Sequence, residues 1–163
     1  PVTHRIGAEG DGFRLGQRFL SSGRLKHGAR GVGTAERCLD MMCSYARQRV
    51  TFGQPLADRQ AVQWMIADTH VELQAARLMV YATAAAAAGG EDNRTDAFVQ
   101  KMYSDELGFR AADRCMQVHG GIGLTTDLPI ERLWRQARSF RITEGATEVM
   151  KMVIARNVLR EYR

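Results

Sequence analysis

Apolar residues recur along this chain at helical rather than strand spacing. Leu25, Val32, Ala35, Leu39, Met42 and Ala46 follow one another at intervals of three, four or seven, which stacks them on one helix face. The pattern begins near Phe13, is firm from Leu25, and breaks at Arg49-Val50-Thr51-Phe52-Gly53-Gln54-Pro55. A second helix is predicted from near Leu56, with Val62, Ile66, Thr69, Leu73, Ala76 and Val80 on its apolar side and a glycine stop at Gly89-Gly90. Glu91-Asp92-Asn93 reads as a polar turn. A third helix runs from about Thr95 to His119-Gly120-Gly121, striped by Phe98, Met102, Phe109, Ala112 and Met116 and interrupted at Asp105.

Residues 121–128 read as a loop, and Pro129 suits a first helical turn, where its missing N–H costs nothing. A short helix over residues 130–138 and an irregular segment to residue 145 follow. A last helix is predicted from near Ala146, with Val149, Val153, Arg156 and Leu159 on one side. Nothing alternates with period two for long enough to predict a strand, and there is no internal repeat. Short connections between long helices predict an all-α fold, an antiparallel four-helix bundle with short additional helices. Stripe periods near 3.5 favour shallow left-handed crossings. Residues 1–12 are Gly-rich and weakly patterned and read as the tail of something preceding; residues 13–163 form the bundle.

The 163 residues, 45% apolar and 25% charged, suit one globular domain that can bury a core without disulfides or metal. The net charge of +5 permits anionic ligands, but the arginines are spread along helices, as solvated faces would have them. Three cysteines, Cys38, Cys43 and Cys115, with no CxxC spacing argue against a disulfide framework or a zinc knuckle. Reduced thiols suit a cytoplasmic protein. No apolar run is long enough to span a bilayer and no signal-peptide pattern is present. No P-loop, dinucleotide fingerprint or HExxH occurs, and His4, His27, His70 and His119 show no metal-ligand spacing, so no metal is expected.

Three segments have candidate chemistry, each beside a plainer reading that residue chemistry alone favours. Arg49-Val50-Thr51-Phe52-Gly53 offers a guanidinium fork and a hydroxyl to a phosphate, or is a helix corner with a dipole-matched Arg. Gln117-Val118-His119-Gly120-Gly121-Ile122-Gly123 permits close backbone approach to a ligand, or is a helix stop. Thr143-Glu144-Gly145-Ala146-Thr147 sets a carboxylate before a helix, where it acts as a base if buried or merely complements the helix dipole.

In this order and spacing the segments resemble the acyl-CoA dehydrogenase family. "HRIGAEGDGF" resembles the exit from that family's middle β-barrel, and "GRLKHGARGVGTAERCLD" its first long C-terminal helix, with Arg24 at the usual Arg. "RVTFGQPLADRQ" is similar to its Arg-x-x-Phe-Gly signature followed by a Gln, here Gln60. "QVHGGIG" and "ITEGATEVM" match its glycine loop and its base-bearing segment. The resemblance covers nearly the whole chain. It implies α,β-dehydrogenation of an acyl-CoA thioester, with Glu144 removing the α-proton while FAD takes the β-hydride, and with the Glu144 N–H polarising the carbonyl.

The resemblance further implies FAD contacts from Arg49, Thr51, Phe52, Gln60, Gln117, Gly120, Gly121 and Thr147, several of them across a subunit interface. It therefore implies a homo-oligomer, a dimer or dimer of dimers. Arg24 and Gly145 would lie in the acyl-CoA region. Ala146 and Glu148 depart from the family's usual Thr and Gln, which puts those contacts in question. The N-terminal helical domain and β-barrel of the family are absent from this sequence. The chain is therefore expected to be a fragment, a separately encoded domain or a truncated form, inactive alone. A noncatalytic helical assembly domain, an acyl-CoA oxidase and a flavin monooxygenase are the competing readings. Nucleic-acid binding driven by charge is not expected.

Overall fold

The computed structural model describes residues 1–90 and 94–162, so the predicted polar turn Glu91-Asp92-Asn93 lies outside the described residues. A short 3-10 turn at Val2–His4 precedes five helices: α1 Gly12–Gln48, α2 Gln60–Ala88, α3 Arg94–His119, α4 Ile130–Phe140 and α5 Thr147–Arg160. The segment between α1 and α2 holds a strand pairing that the sequence did not predict. Val50–Thr51 (β1) and Gln54–Pro55 (β2) pair as a minimal antiparallel hairpin. Phe52 and Gly53, both at positive φ (50° and 78°), form its two-residue turn, the geometry that tight hairpins demand.

Residue pairings fix the directions. Tyr45 stacks on His119 near the ends of α1 and α3, while the first halves of both helices meet at Gly28 and Gln100, so these two helices run parallel. α2 returns between them, tied by Arg77 to Glu36 of α1 and by Glu72 to Arg110 and Arg114 of α3. α4 runs back along α3, with the Trp134 indole donating to Asp113 and the Phe140 carbonyl accepting from Lys101. α5 does likewise, through Thr147 to Glu106 and Asn157 to Thr95. α1, α2 and α3 thus alternate up and down, as their short connections require, and α4 and α5 both run against α3.

Glycine sets how closely α1 and α3 approach. A Cβ at Gly31 would strike the Ser104 backbone, and Gly108 faces Gly31 backbone to backbone. Further along, Ala35, Cys38, Ala111, Ala112 and Cys115 are fully buried in the same seam. Leu73 and Ala76 of α2 and Ile130 of α4 close the core around it. Cys38, Cys43 and Cys115 are free thiols.

Two predicted faces are revised. The α3 stripe Phe98, Met102, Phe109 and Met116 is only half-buried, and the deepest face includes Gln100, Lys101, Ser104 and Asp105. The reason is position: α3 is packed by α1, α2, α4 and α5 together, so even its polar side is enclosed. On α5 the predicted face is turned outward, with Val149 and Leu159 48% and 67% exposed, while Thr147 and Met150 face α3. Among the described residues no helix is long and apolar enough to cross a membrane, and no cluster of His, Cys, Asp and Glu could hold a metal ion.

Candidate active site

The loop between α4 and α5 is held in an unusual conformation. Glu144 has φ 54° and Gly145 φ 118°. A left-handed glutamate costs on the order of 1–3 kcal/mol and persists only where its surroundings over-determine it. Here α3 supplies the bracing. The Lys101 ammonium, buried to 1% exposure, donates to the carbonyls of Phe140 (2.8 Å) and Gly145 (2.9 Å), one on each side of Glu144. One turn on, Glu106 accepts from Arg141 Nε at 2.8 Å and from the Thr147 hydroxyl at 3.0 Å. The loop also closes on itself, Thr147 N–H donating to the Arg141 carbonyl.

So braced, Glu144 lies along α1. Its carboxylate fills the space that a side chain on Gly23 would need, and Oε2 is buried without a hydrogen bond. Oε1 is 3.7 Å from Nε2 of His27, one turn further along α1. His27 Nδ1 in turn stands 3.5 Å from Asp105 Oδ2, which forms a 2.9 Å ion pair with Lys101. The Phe140 ring meets the imidazole edge-on at 5.4 Å. Burial holds His27 below its ordinary pKa; the Glu144 charge opposes this, and Lys101 and Arg30 add to it. Burial pushes Asp105 up to about 6, against the pull of Lys101. Glu144 itself is 25% exposed at its side chain, so a buried polar line ends at an accessible carboxylate.

Arg24 stands beside Gly23, 7% exposed, with its guanidinium 4.3 Å over the Phe98 ring and one amino group 3.4 Å from Gln17. Burial lowers its pKa, and the charge of Glu144 works the other way. It lines a cavity of about 620 Å³ between the start of α1 and the facing ends of α2 and α3, together with Lys26, Arg94, Leu25 and Phe98. Cationic side chains and apolar surface thus share one cleft.

The remaining predicted residues gather at the other end of the bundle. Arg49 closes α1, Gln60 opens α2, and Gln117, Gly120 and Gly121 end α3, all exposed. Gly120 has φ 63°, and neither it nor Gly121 has anything in the way of an added Cβ. Phe52 stands at the hairpin tip, 99% exposed. Arg59, unremarked in the sequence, anchors that hairpin by donating to the Thr51 carbonyl at 2.7 Å. Thr147 is the exception: it sits at the Glu144 end, 6% exposed, its hydroxyl committed to Glu106.

The sequence brings out Glu144, Arg24 and Gly145, names His27 and Asp105 without a role beside Glu144, and gives no sign of Gly23 or Lys101 there. The available signal was Lys101 and Asp105 four apart in α3, a spacing that puts both on one face.

Comparison with known proteins fits this layout. Residues 10–159 match the family model for the acyl-CoA dehydrogenase C-terminal domain. Cyclohexane-1-carbonyl-CoA dehydrogenase of Geobacter metallireducens is 36% identical over 161 residues, covering 99% of this chain and 42% of that protein. Butyryl-CoA dehydrogenase of Megasphaera elsdenii superposes with a TM-score of 0.90 at 33% identity, over 98% of this chain and 42% of that one. A structure of PigA with FAD and proline matches at 0.89 and 27% identity, over 94% of this chain and 40% of its own. The chain thus spans about two fifths of the length of these relatives. It belongs to the acyl-CoA dehydrogenase family, as that family's C-terminal helical domain.

Proposed function

We propose that this domain contributes the base of an FAD-dependent α,β-dehydrogenation of an acyl-CoA thioester, and that Glu144 is that base. The observation that carries the reading is the strained, doubly braced Glu144 with an accessible carboxylate and a buried polar line behind it. Its backbone N–H finds no acceptor among the described residues, which leaves it available to a thioester oxygen as enolate charge develops. Arg24, Lys26 and Arg94 in the neighbouring cleft suit the phosphates of coenzyme A, and Leu25 and Phe98 suit its apolar parts.

The donor set at the far end fits a dinucleotide. Arg49, Gln60 and Gln117 are exposed donors, and Gly120 and Gly121 leave the backbone open to close approach. FAD bound there would supply the hydride acceptor. Thr147 does not fit this role, because its hydroxyl is turned inward. From His27 to Gln48 along α1 is roughly 30 Å at 1.5 Å per residue, so the two ends of one domain serve different parts of an assembly. That distance supports a homo-oligomer, a dimer or dimer of dimers, in which the hairpin end of one copy completes the site of another. The N-terminal helical and β-barrel domains of the family would supply the remaining walls, with residues 1–12 leading out of the barrel, and the chain alone is then inactive.

Two measurements test this reading. In the flavoenzyme containing this domain, Glu144→Gln should lower acyl-CoA turnover by at least about 10²–10⁴-fold; turnover within a few-fold of the parent would end Glu144's candidacy. A substrate outside the acyl-CoA class is the second reading, favoured by the likeness to PigA with FAD and proline. Flavin reduction by proline in place of an acyl-CoA would establish it.

A further inference from the structure

The buried line behind Glu144 is more than the loop requires. Lys101 alone latches the two carbonyls, and Glu106 alone braces Arg141 and Thr147. Asp105 is the counter-ion of that ammonium, but His27 adds nothing to the latch, yet both are buried to 3% exposure or less, and Asp105 Oδ1 and His27 Nδ1 make no hydrogen bond. Enclosed polar atoms left in this state call for a role.

The geometry points to His27 as a positioning residue and proton relay for Glu144, with Asp105 setting the tautomer of the ring. This rests on the reading of Glu144 as a base. Nδ1 faces Asp105 and Nε2 faces Glu144. A neutral imidazole whose Nδ1–H points to Asp105 leaves a lone pair on Nε2 toward Glu144. When Oε1 of Glu144 takes a proton, that O–H donates to Nε2 and its proton passes to the ring. Glu144 is then a carboxylate again, and the imidazolium lies between two carboxylates, with Lys101 balancing the second. No electron moves, and the proton returns by the same path. Contacts of this length in resting sites shorten when a site closes on its substrate. The charged groups around His27 are Glu144 from the loop, Lys101 and Asp105 from α3 and Arg30 from its own helix; α4 presents only the Phe140 ring.

The test is NMR on the isotopically labelled chain, reading the ring nitrogens of His27 and the side-chain carboxyl carbon of Glu144 as pH is varied. Expected is an Nδ1-protonated His27 near neutral pH, a tautomer lost in Asp105→Asn. Expected also is a Glu144 titration midpoint displaced in His27→Gln by half a pH unit or more, about threefold in proton affinity. An Nε2-protonated ring, or a Glu144 midpoint the same in both proteins, overturns the relay. If His27→Gln loses the native amide pattern, the tautomer comparison with Asp105→Asn decides alone. The dehydrogenase reading is judged separately, by solvent deuterium exchange at the α-carbon of an acyl-CoA in the flavoenzyme. Exchange unaffected by Glu144→Gln sinks that reading and leaves the NMR coupling to stand or fall by itself.

Discussion

The carboxylate of Glu144 occupies the volume that any side chain at Gly23 would need. A methyl group there would first meet the flexible end of Glu144, which can swing aside. Gly23→Ala should therefore keep the fold, with a melting temperature within a few degrees of the parent. It should lower turnover of the flavoenzyme by about 10²-fold, the usual penalty for displacing a reacting group by an ångström. Unchanged turnover would show that the observed position of Glu144 is not the working one.

The helices were readable in the sequence because α1 and α2 each bury one apolar face at helical spacing. The stripes Val32 to Ala46 and Val62 to Val80 are the buried faces of α1 and α2. α3 was misread because it is enclosed on several sides, so hydrophobicity no longer distinguishes inside from outside: Phe98 is half-buried and Lys101 fully buried. Glu144 was singled out by the family resemblance, since residue chemistry alone favoured the helix-dipole reading. Its partners were not, because Gly23, His27 and Asp105 are brought together only by the close parallel contact of α1 with α3. The hairpin at Phe52 was hidden for another reason: two-residue strands are too short to show alternation.

That contact makes its own prediction. A Cβ on Gly31 would collide with the Ser104 backbone, which cannot rotate away. Gly31→Ala should separate the helices and destabilise the domain by about 1–3 kcal/mol, measured by urea unfolding. Gly33→Ala on the same helix has open space and should not destabilise it. Equal losses from both would place the helix contact elsewhere.

Removing the latch should be severe. Lys101→Met abolishes two hydrogen bonds to the Glu144 loop and strands Asp105 without its counter-ion. Breaking a buried pair in this way costs about 3–5 kcal/mol. The loss should be smaller at pH 5 than at pH 7.5, because Asp105 can then take a proton and become neutral. Thermal melts at the two pH values would show it, and a loss independent of pH would mean that Asp105 is not the stranded group.

At the opposite end, Arg49 is exposed at the close of α1. Arg49→Ala should leave stability within about 0.5 kcal/mol, as surface substitutions do. Flavin retained after dialysis against FAD should nonetheless fall by tenfold or more in the assembled enzyme. Retention equal to the parent would remove the α1 end from the cofactor surface.

Asp105 also leaves a mark on how stability depends on pH. Its folded-state pKa is raised from 3.8 to about 6, so between those values the folded protein holds a proton that the unfolded chain has released. Stability from this residue is therefore present at low pH, falls as pH rises through the window, and is level above it. At 1.36 kcal/mol per unit the fall is about 3 kcal/mol. Asp105→Asn removes it, so the stability of the parent relative to this variant should decline from pH 4 to pH 6 and then flatten. His27 acts in the opposite sense in both proteins, its lowered pKa costing stability as pH drops below 6.5. Taking the difference between parent and variant cancels most of that contribution, except for the part that His27 owes to Asp105 itself. A difference curve that is flat from pH 4 to pH 7 would mean that Asp105 is ionised throughout, and that Lys101 outweighs burial at the centre of the domain.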